Sequence, residues 1–401
     1  MMFFITTIAP EAGSSVHFNT IGLPLSGIIY GVCERSATNL ERISHPHKEN
    51  TVRSFSREFL RACLIVAAGL MVAACQGATG GLTTATAAPR TMTPTALPTS
   101  TPTPRPTSPP PLPLGAPGNP LILALPPETV LDEEIAGGES LAGQLSEFTG
   151  YEVVAVVPDS YADLVEDLGR GNAHIAVLPP FAYLLAHQQG YADVAFLSVR
   201  LGATRYASQF VAHRDSGFAV YFDPERDENT ADAETALSQF EGKKPCWSDT
   251  SSPSGYVVPA GYLAYYDIKT RPAAILQGHP TVIRALYAKG ICDFGATFVD
   301  ARTFPSLQQD YPDALEKVVV IWRTPAIIPY DAVVYASTVP EEMRRELSHA
   351  FVRVGITEEG KASLRLVYRI EGLEEADDDV YDALRTYVEA LNIDLSTLID
   401  R

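Results

Sequence analysis

The chain has 401 residues, of which 46% are hydrophobic and 19% are charged. This length allows two or more domains of ordinary size and excludes a peptide hormone or a disulfide-stapled miniprotein. With 30 basic against 48 acidic residues, the formal net charge is −18. Nucleic acid, which is bound through phosphate neutralisation by basic side chains, is therefore not an expected partner. An anionic ligand would have to be held by local hydrogen-bond donors, because the overall field repels it.

Residues 52–75 have the order of a secretory signal: three arginines, an apolar run over 62–74, and then a cysteine after small residues. The apolar run is shorter than the roughly 20 residues that span a bilayer. Its end, Val72-Ala73-Ala74-Cys75, resembles a bacterial lipobox, which implies that Cys75 is lipidated and becomes the mature N-terminus. The alternative is a buried helix with an incidental cysteine, but the proline-rich segment that follows offers that helix nothing to pack against.

Residues 1–51 precede the signal and show no clear periodicity. Because a signal peptide stands at the start of a chain, we interpret 1–51 as a mis-assigned or disordered extension and expect translation to begin at Val52. Residues 76–118 are rich in Thr, Pro, Ser, Gly and Ala and predict a disordered tether to the folded body. An anchor, a tether and a folded body together predict a protein held by lipid on the outer face of the cell membrane.

From residue 119 onward, short β-rich runs alternate with helical patterns, which predicts an α/β fold with mostly parallel sheets flanked by helices. Strands are predicted at residues 121–125, 152–157, 174–178, 194–198, 210–213, 245–248, 291–297, 318–322 and 332–335. Helices are predicted at residues 141–149, 161–169, 182–187, 258–266, 282–288, 340–354 and 378–391.

A weak internal repeat divides this body. Residues 164–183 and 283–302 share an apolar helix, a basic residue, a glycine and then a strand whose carboxyl end is the place where open α/β sheets bind ligands. The repeat indicates two lobes with facing crevices. We assign residues 119–213 to the first lobe, 214–325 to the second, and 326–401 to the return to the first lobe with the C-terminal helices.

The cysteines form neither a CxxC pair nor a zinc spacing, so no metal is expected; they are Cys33, Cys63, Cys75, Cys246 and Cys292. In an oxidising compartment Cys246 and Cys292 could pair, and two buried free thiols are the equal alternative.

Three sequence elements carry candidate binding chemistry. Ser252 is a good N-cap ahead of Pro253, so Ser254 and Gly255 would offer backbone N–H groups at a helix N-terminus, where anions bind. His279 stands before a proline at another helix start, and Asp331 follows a proline-rich return segment. Each element alone is ordinary, since every helix needs a beginning and most histidines are structural.

Taken in order, the three elements resemble the phosphate/phosphite/phosphonate-binding proteins of ABC importers. The resemblance rests on Ser-x-Ser-Gly-x-x-x-Pro at 252–259, Gly-His at 278–279 and Ile-Pro-x-Asp at 328–331, and it covers about residues 119–393. It implies a two-lobed periplasmic-binding-protein fold of type II, with a hinge between the lobes. It also implies a monomer that captures a phosphorus oxyanion, needs no cofactor, catalyses no reaction and delivers its ligand to an ABC permease.

The resemblance further implies the ligand-binding residues, which are Tyr161, Tyr206, Ser252, Ser254, Gly255, His279, Asp300 and Asp331. The serines, the amides of residues 254 and 255, the histidine and the tyrosines match donors to the oxyanion. Asp300 and Asp331 match acids that hold the ammonium group of aminoethylphosphonate. The chain departs from the family pattern at Pro253, which removes a hydroxyl and an amide, and at His174, where an Asp is usual.

Two other functions are compatible with parts of this sequence. A sensor or adaptor of the same fold would present its closed form to a receptor, and the weakened cradle at Pro253 favours it slightly. A secreted serine hydrolase would use Ser254 as nucleophile, but Ser254 lies in Pro-Ser-Gly-Tyr and lacks the Gly-x-Ser-x-Gly elbow. The sequence therefore predicts a binding protein rather than an enzyme.

Overall fold

The computed structural model describes residues 111–399. The extension 1–51, the signal 52–75 with Cys75, and the tether up to residue 110 lie outside the described residues. The end of the predicted tether belongs to the folded body, because the Glu152 N–H donates to the Gly115 carbonyl (2.7 Å) and the Gly118 N–H donates to the Glu152 carboxylate (3.0 Å). The body therefore begins before residue 119.

The strands are β1 Leu121–Ala124, β2 Val153–Val156, β3 Ile175–Leu178, β4 Ala192–Val199, β5 Arg205–Tyr206, β6 Ser208–His213, β7 Phe222–Asp223, β8 Glu228–Asn229, β9 Pro245–Trp247, β10 Ala274–Ile275, β11 Phe294–Phe298, β12 Val318–Arg323, β13 Ile328–Pro329, β14 Ala332–Ala336 and β15 Gly372–Glu375. The helices are α1 Asp132–Thr149, α2 Tyr161–Arg170, α3 Pro180–Gln188, α4 Ala233–Leu237, α5 Val258–Tyr265, α6 His279–Ala288, α7 Pro305–Asp310, α8 Ala314–Lys317, α9 Glu341–Ile356, α10 Glu358–Tyr368 and α11 Asp382–Leu391. None of the helices between residues 111 and 399 has the length and apolar character to cross a bilayer.

The strands form two main sheets, one in each lobe. The first has the order β15-β4-β14-β3-β1-β2, and the second has the order β10-β9-β11-β6-β12. In the first, β1 is parallel to β2 and β3, whereas β14 and β15 pair antiparallel. In the second, β9 is parallel to β10 and β11, whereas β6 pairs antiparallel with β11 and β12. Both sheets are therefore mixed. Four strands of the first sheet (β1–β4) and four of the second (β9–β12) still run in one direction, so the expectation of mostly parallel sheets is confirmed.

The chain crosses between the two sheets at residues 200–207 and again at 324–331. The crossings pair as short strands, β5 with β13, in the register Tyr206 to Ile328. These two segments form the hinge. Strand β6, which the sequence placed at the end of the first lobe, lies in the second sheet, so the predicted boundary at residue 213 falls too late. Hydrophobic periodicity marks a strand but not the sheet that receives it, which is why the boundary was misplaced.

Both halves of the internal repeat form a helix, a glycine and a strand. Helix α2 is followed by Gly171 (φ 75°) before β3, and α6 is followed by Gly290 (φ 87°) before β11. These positive φ values favour glycine, which has no Cβ to clash with the backbone. Because β3 and β11 lie in different sheets, the repeat corresponds to one unit in each lobe.

The C-terminal segment joins the lobes a third time. Its first turn rests on helix α3 of the first lobe, where the Tyr183 hydroxyl donates to Asp378 (2.7 Å) and the Tyr183 and Tyr381 rings lie 4.4 Å apart. Helix α11 then packs on α5 of the second lobe, with Tyr387 stacked on Tyr262 at 3.8 Å. The final turn, Leu395–Leu398, contacts α3 again. The C-terminal segment therefore returns to the first lobe as predicted, but its helix α11 also packs on the second lobe.

Candidate functional site

The serine turn, residues 252–255, lies between strand β9 and helix α5. Ser252 caps one turn of π-helix, Pro253–Val257, and its Oγ accepts a hydrogen bond from the Gly255 N–H at 3.0 Å. Pro253 occupies the first helical position, where a missing N–H leaves no carbonyl unsatisfied. Ser254 follows at the second position, whose N–H has no acceptor within a helix. The Gly255 amide, predicted as an anion donor, is used by the cap, whereas the Ser252 hydroxyl proton can still be donated.

Gly255 is packed too tightly to carry a side chain. A Cβ built there would lie 1.7 Å from Ser248 Oγ and 2.9 Å from His279 Cε1. Ser248 is 1% exposed, and its hydroxyl has no hydrogen-bond partner among the described residues. This close packing places the end of β9, the serine turn and the start of α6 in contact. Ser248, which was not among the predicted site residues, lies at this contact.

His279 begins helix α6 and faces the serine turn. Its Nδ1 accepts a hydrogen bond from the Phe298 N–H at 3.4 Å, and its Nε2 lies 3.5 Å from Ser252 Oγ. Because a backbone N–H can only donate, the ring proton is on Nε2 and points toward the serine. Burial lowers the pKa of His279 to about 4, so the imidazole is a neutral donor at physiological pH.

This pKa predicts a pH-dependent stability. Between pH 6.5 and about 4 the unfolded chain protonates His279 and the folded chain does not, so the free energy of unfolding falls as the pH is lowered through this window. One group contributes at most about 1.4 kcal/mol per pH unit. Denaturant titrations of wild type and His279→Asn at pH 7, 6 and 5 should show a shallower pH dependence in the variant. Equal slopes would contradict the buried neutral imidazole, since His174 and His213 titrate in both proteins.

Tyr206 lies in the hinge and reaches both lobes. Its side chain interacts with that of Ser254, and its ring stacks on Tyr330 at 4.9 Å. Ser254 is 2% exposed, and its carbonyl accepts a hydrogen bond from the Ser208 hydroxyl at 2.7 Å. Burial raises the pKa of Tyr206 well above its usual value, so its hydroxyl stays protonated and able to donate.

A cavity of about 400 Å³, here called the hinge cavity, lies beside Tyr206 in the first lobe; it is lined by Glu128, Tyr161, Arg200, Asp331 and Tyr368 among others. The Tyr161 hydroxyl donates to Glu128 at 3.2 Å, and the Arg200 guanidinium donates to the Asp331 carboxylate. Burial raises the pKa of Asp331, and the neighbouring arginine opposes that rise. Tyr161 and Asp331, which the sequence selected, thus share one cavity with Arg200, which it missed.

Asp300 does not line the hinge cavity. Its carboxylate accepts hydrogen bonds from Arg302 through Nε at 3.0 Å and from Gln209 Nε2 at 2.9 Å. The Arg302 guanidinium therefore already neutralises it. The pKa of Asp300 is lowered: burial, the largest influence, raises it, but the hydrogen bond and charge of Arg302 outweigh burial. His174 is also structural, since its Nδ1 accepts from the Ile122 N–H at 3.0 Å.

Two groups of predicted residues therefore meet through Tyr206. Ser252, Ser254, Gly255 and His279 form the first group, and Tyr161 and Asp331 form the second. The candidate site thus combines neutral donors on the second lobe with paired charges on the first. Within residues 111–399, no cluster of three or more His, Cys, Asp or Glu side chains is arranged to hold a metal ion.

Comparison with known proteins gives a consistent result. A family model described as the periplasmic substrate-binding protein of phosphonate ABC transporters matches residues 129–381. The phosphate-import protein PhnD of Mycolicibacterium smegmatis is 29% identical over 197 residues, which are 46% of this chain and 56% of that protein. The chain thus spans little more than half the length of the curated relative it matches.

Solved structures share the fold. Two structures of a Xanthomonas citri protein, one bound to ATP and one to chloride ion, superpose with TM-scores of 0.51 and 0.50. Each is 16% identical in sequence and covers 69% of this chain, with 97% and 98% of their own lengths aligned. At this identity the similarity concerns the fold alone.

Proposed function

The chain belongs to the family of periplasmic substrate-binding proteins of phosphonate ABC transporters, and from this premise we propose that it captures a small phosphorus oxyanion outside the cytoplasmic membrane and delivers it to an ABC permease. Closure of two lobes about the hinge would bury the ligand without any covalent step. The binding residues proposed are Ser252, Ser254, His279, Tyr206 and Tyr161, with Ser248 added.

The observation that carries the proposal is the convergence of neutral donors on one turn. Ser252 Oγ and His279 Nε2 lie 3.5 Å apart, and the side chains of Ser254 and Tyr206 interact beside them. A tetrahedral oxyanion withdrawn from water needs several such donors, and hydrogen bonds to a charged group are the strong ones. Hydroxyls and an uncharged imidazole supply them in a protein whose net charge of −18 would repel an anion.

The family is one of transport proteins and not of enzymes, and the contact between Ser252 and His279 agrees with that. A general base must accept the serine proton, but here Nδ1 is occupied by the Phe298 N–H and Nε2 carries the hydrogen. The histidine can therefore donate to the serine or to a ligand and cannot activate a nucleophile. For Ser254, the nucleophile of the hydrolase alternative, no hydrogen bond between its hydroxyl and a histidine is seen within residues 111–399, so that alternative gains no support.

The proposed location combines two features. Cys246 and Cys292 form a disulfide, and such bonds persist in oxidising compartments outside the cytoplasm. Lipidation at Cys75, which lies outside the described residues, is part of the proposal and would hold the protein at the membrane beside its permease. Mass spectrometry of the purified native protein would test it: a diacylglycerol adduct on an N-terminal cysteine is expected, and a protein retaining residues 1–74 would refute it.

Replacement of Ser252 by alanine tests the binding site. We expect the affinity for phosphate, phosphite or methylphosphonate to fall about ten- to a hundredfold, because a hydrogen bond to a charged group contributes about 1.5–3 kcal/mol. Loss of the cap should also lower the free energy of unfolding by about 1 kcal/mol. Isothermal titration calorimetry and denaturant unfolding measure the two effects.

Thr357→Ala is the matched control, since Thr357 caps α10 by accepting from the Gly360 N–H at 3.1 Å. It should cause a similar loss of stability with no change in affinity. If wild type binds none of the three anions, or if both variants bind like wild type, the proposed site is wrong.

A further inference from the structure

We propose that Arg200 supplies, within the protein, the cation that Asp331 would otherwise take from a ligand, so that the site selects phosphorus oxyanions without an amino group over aminoalkylphosphonates. This inference rests on the proposed function and narrows its substrate class. It is carried by the contacts of both aspartates that the sequence analysis assigned to a ligand ammonium.

Each of these aspartates already has an arginine partner. Asp331 is paired with Arg200, with side chains 28% and 34% exposed, and Asp300 is paired with Arg302, with side chains 19% and 13% exposed. A partly buried carboxylate that already has a cation as partner gains less from a second one. With that partner in place, a ligand ammonium would have to displace a guanidinium or stand beside it, and like charges at close range repel each other.

Arg200 is held by more than its carboxylate. Its Nη2 also donates to the Tyr368 carbonyl at 3.2 Å, and its guanidinium lies 5.6 Å from the centre of the Tyr330 ring. Tyr330 in turn stacks on Tyr206 of the proposed binding group. The arginine is therefore a fixed part of the hinge rather than a mobile surface side chain.

The unsatisfied hydrogen-bonding groups of the hinge cavity point to the same ligand class. Arg200 Nε and the Tyr368 hydroxyl are buried without a partner among the described residues. A guanidinium N–H can only donate and a phenol donates readily, so these groups call for an oxygen acceptor. Two other carboxylates line the cavity. Glu128 is exposed and accepts from Tyr161, so water can solvate it, and Glu134 already has Arg369 as its cation partner.

Calorimetric titration of the full chain with methylphosphonate and with 2-aminoethylphosphonate tests the inference, because the two ligands differ in the aminomethyl group. We expect wild type to bind methylphosphonate at least tenfold more tightly. In Arg200→Met the ratio should move at least tenfold toward the amino ligand, because the freed Asp331 can then accept the ammonium. Arg200→Met combined with Asp331→Asn should restore the preference for methylphosphonate.

The control is an arginine whose carboxylate partner lies outside the hinge cavity. Because the partner of Arg369, Glu134, lines the same cavity and is only 12% exposed, Arg369→Met would itself free a carboxylate there, and Arg344→Met is used instead. Arg344 pairs with Asp193 at 2.8 Å and does not line the hinge cavity, so its loss should leave the ratio unchanged.

Asp331→Asn alone gives a second test that does not depend on Arg200→Met folding. If Arg200 is the partner of Asp331, this variant should change the affinities for both phosphonates by the same factor. If the ligand ammonium is the partner, only the affinity for 2-aminoethylphosphonate should fall.

The outcomes separate the two proposals. Equal or tighter binding of the amino ligand by wild type, an unchanged ratio in Arg200→Met, or a selective loss in Asp331→Asn would overturn the role of Arg200 and leave the proposed function standing. Failure of wild type to bind phosphate, phosphite and both phosphonates would overturn the proposed function itself, and the inference with it.

Discussion

Gly255→Ala is expected to abolish measurable binding of phosphorus oxyanions while the protein remains folded. The added methyl group would lie 1.7 Å from Ser248 Oγ, 2.8 Å from Ser248 Cβ and 2.9 Å from His279 Cε1. The Ser248 hydroxyl can rotate away, but its Cβ is fixed by the backbone. The imidazole ring is held by its hydrogen bond from the Phe298 N–H. The serine turn must therefore move away from His279, which separates the donors that converge on the ligand.

Such overpacking should lower the free energy of unfolding by about 1–3 kcal/mol. Calorimetric titration with methylphosphonate and denaturant unfolding measure the two effects. Gly143→Ala is the control, since Gly143 lies within α1 with no atom within 4 Å of an added Cβ. It should bind like wild type and be up to about 1 kcal/mol more stable. Wild-type affinity in Gly255→Ala would mean that the serine turn does not contact the ligand.

The disulfide should make the largest single contribution to stability. Cys246 and Cys292 are 46 residues apart and join the strand that precedes the serine turn to the segment before β11. For a closed loop of that length the chain-entropy model gives about 4 kcal/mol. We expect reduction of wild type, or replacement of both cysteines by alanine, to lower the free energy of unfolding by about 2–4 kcal/mol.

Unfolding with and without a reductant in both proteins provides the control. The reductant should destabilise wild type and leave the double variant unchanged. If wild type is equally stable in both conditions, the cysteines are free thiols in solution, which is the alternative that the sequence left open.

The sequence located the elements better than their pairing. Every predicted strand and helix overlaps an observed one, because apolar runs and caps are local signals. The antiparallel pairing of β14 with β3 and β4 was not predicted, since strand direction depends on which lobe the chain comes from. Strand β15 was missed because its sequence, Gly-Leu-Glu-Glu, has little β propensity and its place is set by pairing with β4.

The same distinction holds for the site. Ser252, Ser254 and His279 were recognisable because a cap and two prolines mark helix starts, and the family resemblance is confirmed by the match to residues 129–381. Arg200 was not recognisable, since its partner Asp331 lies 131 residues away in the chain. Ser248 could have been found, because it directly follows a strand at the carboxyl edge of a sheet, where ligands bind.

The C-terminal segment has a mechanical consequence. Two paired crossings alone would let the lobes both bend and twist about the hinge. Helix α11 packs tightly on α5, the helix that follows the serine turn: a Cβ at Gly261 would lie 2.4 Å from the Tyr387 carbonyl oxygen. The residues on either side of α11 contact α3 of the first lobe. This third connection, whose first turn also contacts β13 of the hinge, is expected to resist twisting of the lobes more than two crossings alone would. The ligand-free protein should therefore sample a narrower range of lobe orientations. Ligand binding then costs less conformational entropy.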